Sequence, residues 1–117
     1  MKRTLVTLIL AMALPFNVHG AWISVTSTIQ TIKIYSTTDT ILVTLDHPGT
    51  VVSECSNTLS FAIDGTLPVD RRKQMLSALL MTKAAGNSIT LTYSDSGNCV
   101  PWDADANAYR GLVRIIF

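Results

Sequence analysis

The sequence predicts a mainly β domain with one helix: a small OB-fold-like, five-stranded barrel with a helix of about residues 68–85 inserted between strands. Three observations carry this prediction. Apolar residues alternate at period two in several short segments, one stretch alone repeats at three and four residues, and turn-forming residues punctuate the chain between them. An open antiparallel sheet packed on a single helix fits the same order of elements, and periodicity does not separate the two.

The elements follow in order. Trp22 to Tyr35 is rich in Ile, Val and Thr, whose branched side chains suit a pleated sheet, and Ile32 and Ile34 alternate with Thr31 and Lys33. After Ser36-Thr37-Thr38-Asp39, the residues Ile41, Val43 and Leu45 alternate with Leu42 and Thr44. Asp46-His47-Pro48-Gly49 is a turn, because Pro and Gly pre-set turn dihedrals. Val51 and Val52 lead to Cys55, and Leu59, Phe61 and Ile63 alternate again. The period then changes: Thr66 stands as a cap, Pro68 in the first turn, and Met75, Leu76, Leu79 and Leu80 form an apolar stripe that stops before Gly86. Alternation resumes with Ile89, Leu91 and Tyr93, and Ser94 to Asn98 reads as a turn. Pro101 to Asn107 reads as a polar loop, and Leu112 to Phe117 as a last strand buried on both faces or at an interface.

The N-terminus reads as an export signal. Lys2 and Arg3 precede an apolar run from Leu5 to Phe16, and Val18-His19-Gly20 presents small or apolar residues before a cut ahead of Ala21. A bilayer needs roughly 20 apolar residues, so the run is too short to span it. The expectation is a signal peptide, 1–20, followed by a single domain, 21–117, that is secreted or periplasmic and does not span a membrane. Cutting after Gly20 leaves 97 of the 117 residues, and losing Lys2 and Arg3 leaves seven basic against eight acidic side chains, a net charge of −1. Near-neutrality argues against nucleic acid as a partner, which would need clustered positive charge.

In an exported chain, the two cysteines Cys55 and Cys99 are most simply a disulfide. Closing a loop of about 45 residues contributes about 4 kcal/mol by chain entropy, which matters to so small a core.

Reactive chemistry is sparse. Past Gly20 the one histidine, His47, sits in a turn beside Pro48 and reads as a turn residue rather than as the base of a triad. One His and two paired Cys cannot make a tetrahedral zinc site. Asp103-Ala104-Asp105-Ala106-Asn107 begins like a calcium loop, but Ala108 and Arg114 stand where a Gly and a bidentate Glu are required. Neither Asp64 with Asp70 nor Asp103 with Asp105 is marked out as a glycosidase pair. No catalytic residue, metal or cofactor is assigned. Two other features remain. Arg71, Arg72 and Lys73 form a basic run at the helix start, and Trp22 and Trp102 lean toward exposure, where an aromatic ring can stack on the C–H face of a sugar.

Several stretches resemble the binding (B) subunits of subtilase-cytotoxin-type toxins. They are the Ala21-Trp22 start, Val52-Ser53-Glu54-Cys55-Ser56, the segment from Ala84 to Tyr93, and Asn107-Ala108-Tyr109-Arg110-Gly111-Leu112. The resemblance implies an OB-fold homo-oligomer, a pentamer whose helices line a pore, binding a glycan on host cells and carrying a separate catalytic chain. It implies a glycan contact at Thr28 with Ser27 beside it, and a pore-facing or partner-contacting role for Arg71, Arg72 and Lys73. The alternative is a small exported protein-interaction or structural protein.

Overall fold

A computed structural model of the chain describes residues 20–117, so the signal-peptide reading lies outside the described residues except at Gly20. The elements are β1 (Trp22–Ile34), β2 (Ile41–Leu45), β3 (Ser60–Ile63), α1 (Val69–Ala85), β4 (Ser88–Ser94), β5 (Cys99–Trp102) and β6 (Asp105–Ile116).

β1 is long enough to serve two partners. Its first half runs antiparallel to β4, from Trp22 opposite Ser94 to Thr28 opposite Ser88. A bulge between Ile29 and Thr31 bends the strand, and its second half pairs with β2 through Ile32 opposite Val43. β2 pairs with β3, and β3 meets β6 in parallel through Phe61 with Arg110 and Ala62 with Gly111. β6 returns to β4, placing Leu91 opposite Ile115. The circuit β1–β2–β3–β6–β4 thus closes on itself, which makes the molecule an OB-fold-like barrel rather than an open sheet.

β5 is the addition to the predicted five strands. It continues the line of β4 along β6, with Cys99 opposite Arg110 and Trp102 opposite Asp105. The expected loop from Pro101 to Asn107 is therefore a hairpin, turning at Asp103, a non-glycine residue at φ 50°. Gly111 marks a close backbone approach: its N–H donates to the Asn98 carbonyl, and a Cβ there would stand 2.7 Å from that oxygen.

α1 packs on β1 and β4. It begins at Pro68 with no side-chain cap, because the Thr66 hydroxyl donates to Asp64 instead. It ends at Gly86, whose φ of 69° lets its N–H return to the Lys83 carbonyl. Leu79 is fully buried, and Met75 and Leu76 are packed against the core. Leu80, predicted in the same stripe, is exposed, since the next helical residue lies about 100° further round. Ala78 and Thr82 are buried on the line that Leu80 misses.

The barrel interior holds Val43, Val52, Phe61, Ile63, Ile89, Leu91 and Tyr93 around Leu79. A smaller cluster of Leu42, Ala62 and Val100 forms apart from it, with Trp102 and Tyr109 packed on it. The last strand is not buried on both faces: Leu112 is buried, whereas Ile116 and Phe117 are exposed.

Candidate functional site

The segment between β2 and β3 runs from Asp46 to Leu59 with little regular structure, and two devices fix it. The first is the Cys55–Cys99 disulfide, which ties the segment to the start of β5. The second is Arg110, on β6, which is only 1% exposed. Its guanidinium donates to the carbonyls of Pro48 (2.6 Å), Thr50 (2.9 Å) and Thr58 (3.2 Å) and lies 3.9 Å from the centre of the Phe61 ring. Tyr93 assists, its hydroxyl accepting from the Thr50 N–H and donating to the Thr50 carbonyl. Burial pulls the Arg110 pKa below its ordinary value, and its Nε has no partner. One cation thereby bonds three backbone carbonyls of the loop, two of which have no other donor among the described residues.

Held in this way, the segment docks on β6. The N–H groups of Ser56 and Asn57 donate to the carbonyls of Asn107 and Ala108. The Ser56 hydroxyl donates to the Asp105 carboxylate, which also accepts from the Asn107 N–H. These two bonds, the Ser56 bond foremost, hold the Asp105 carboxyl below its usual pKa. Asn57 Oδ1 accepts from the N–H groups of Leu59 and Ser60, which fixes the amide and leaves its NH2 group free to donate.

Beside these polar groups stand three rings. Trp102 meets Tyr35 edge-on at 5.0 Å and Tyr109 edge-on at 5.6 Å. Desolvation, and then the charges of Tyr35 and Asp103, push the Tyr109 phenol above its ordinary pKa. Ser56, Asn57, Trp102, Asp105, Ala108 and Tyr109 line an open cavity of about 200 Å³.

The other predicted site residues lie elsewhere. Trp22 is exposed at the far end of β1, with the Arg114 guanidinium 5.9 Å from its ring centre. Trp102 touches Tyr35, just beyond the opposite end of that 13-residue strand, so within one chain the two indoles do not share a pocket. Ser27 is buried, its hydroxyl donating to the Thr28 carbonyl and accepting from the His47 N–H. Thr28 is half-buried and donates to Asp46. The basic run divides: Arg71 and Lys73 are exposed, while Arg72 donates to the Leu67 carbonyl and lies 3.7 Å from Asp39.

A second, larger groove of about 730 Å³ separates the first half of α1 from the end of β6, lined by Leu67, Met75, Ile115 and Phe117 together with Arg71 and Arg114. Among the described residues, no three His, Cys, Asp or Glu side chains group as a metal site, and no helix is long and apolar enough to cross a membrane.

Sequence reading did not single out Tyr35, Tyr109, Ser56 or Asn57. The signals pointing toward them were two of the family-like stretches: Val52–Ser56, which ends on Ser56, and Asn107–Leu112, which carries both the ring of Tyr109 and the brace of Arg110. No protein-family model matches the chain, and neither does any curated protein or solved structure.

Proposed function

We propose that this protein is an exported, non-catalytic binding module that recognises cell-surface carbohydrate as a homo-oligomer. The observation that carries the reading is the cradle of Trp102 and Tyr109, with Tyr35 packed edge-on against Trp102, beside a fixed carboxylate and a fixed amide. Aromatic faces take the C–H side of a sugar ring, and fixed polar groups take its hydroxyls. Thr28 and Trp22 remain candidate secondary contacts, to which a neighbouring copy would have to add. Assembly is supported by the groove between α1 and β6, where Phe117 is exposed beside Leu67, Met75 and Ile115, and by the further exposed apolar residues Val69, Leu80 and Met81 on α1; Arg114–Ile116 pair only with β4. A ring of five would place Arg71 and Lys73 at a shared opening and leave room for a separate catalytic chain.

A glycan array probed with the purified protein tests the reading. Reproducible binding to a carbohydrate supports it, and silence across neutral and acidic glycans overturns it. The same α1–β6 face favours a second reading, a module whose partner is another protein. Light scattering separates the two: a stable closed ring supports the first, and a plain monomer that ignores glycans supports the second.

A further inference from the structure

Resting on the carbohydrate reading, we propose that the cradle at Trp102 is a subsite for a neutral pyranose and turns away acidic sugars. The argument is one of charge and hydrogen-bonding capacity. The charged side chain lining the cavity is Asp105, and Asp103 lies close enough to act on Tyr109. The nearest cation, Arg110, neighbours Tyr109 on β6 but is buried and engaged by the carbonyls of Pro48, Thr50 and Thr58, and neither it nor Lys33, opposite Leu42, lines the cavity. An acidic sugar would therefore bring its carboxylate to a negative rim with no Arg or Lys to receive it.

A neutral ring meets a complementary set. Ser56 and Asn107 occupy part of the Asp105 carboxylate and fix its orientation, leaving lone pairs for two adjacent sugar hydroxyls to donate to. The free NH2 of Asn57 supplies a donor to a hydroxyl oxygen. Trp102 and Tyr109 supply the apolar wall. At about 200 Å³ the cavity is below the roughly 300 Å³ at which pockets for drug-sized molecules begin, so it suits one ring rather than a chain.

The test uses the Trp22→Phe protein, in which Trp102 is the indole of the folded domain. Its fluorescence is titrated with methyl galactoside, methyl glucoside, methyl mannoside and N-acetylneuraminic acid at matched ionic strength. The expected result is a saturable change with at least one neutral glycoside and at least about tenfold weaker binding of the acid. Asp105→Lys should weaken the neutral sugar and narrow or reverse that preference. Tighter binding of the acid at Trp102 overturns this inference and leaves the carbohydrate reading standing. So does glycan capture on the array with no response from Trp102. Silence in both the titration and the array overturns both.

Discussion

The two faces of the barrel are built by opposite strategies. Around Arg110 an irregular segment is fixed by a disulfide, three bonds from a buried cation to backbone carbonyls, and a tyrosine that grips Thr50. Between α1 and β6 the elements are regular, but a groove is left open and large apolar side chains stay in water. The difference teaches that order here does not follow secondary structure. The segment with least regular structure is the most heavily braced, as a preorganised binding site requires, and the regular face carries the unsatisfied apolar surface that an interface would cover.

Breaking the brace should give the largest effect. Arg110→Ala leaves the Pro48 and Thr58 carbonyls without their donor, leaves Thr50 only its bond from Tyr93, and empties the space against the Phe61 ring, so a loss of roughly 5 kcal/mol is expected in urea denaturation. That is a large share of the 5–15 kcal/mol typical of a domain. Replacing Cys55 and Cys99 by serine should cost about 4 kcal/mol, a fall in Tm on the order of 20 °C, and should weaken glycan binding because Ser56 and Asn57 lose their anchor. Leu79→Ala should cost roughly 3 kcal/mol, placing the helix–barrel contact on the same scale. On the other face, Phe117→Ser should leave the monomer's stability within about 0.5 kcal/mol and lower the assembly mass seen by light scattering. A large loss of stability there would erase the contrast.

The smallest effect is on pH. The folded Asp105 pKa is depressed, so its contribution is fully present above the ordinary carboxylate value of 3.8 and is lost as pH falls through the lower folded value. A thermal-melt series down to pH 2 should therefore show a shallow acid decline that Asp105→Asn removes.

The legible parts of this fold were local. Period-two alternation located the strands from Ile41 to Leu45 and from Ile89 to Tyr93, and the Gly86 stop was visible because only a left-handed turn ends a helix that way. The β5–β6 hairpin was hidden because its turn rests on Asp103 rather than on the glycine that usually marks such a φ. The site was hidden for a different reason. Tyr35, Ser56 and Trp102 belong to three segments distant in sequence, and only barrel closure and the disulfide bring them together. Nor does alternation reveal that Arg110 points inward, since a charged residue on a strand reads as outward unless its partners are known.

In the proposed function, the braced segment holds a sugar against Trp102. The most direct test compares glycan binding by the native protein and by Trp102→Ala, with circular dichroism confirming that both are folded. The account predicts binding by the native protein and at least a tenfold loss in the variant. Equal binding by the two, or none by either, would contradict it.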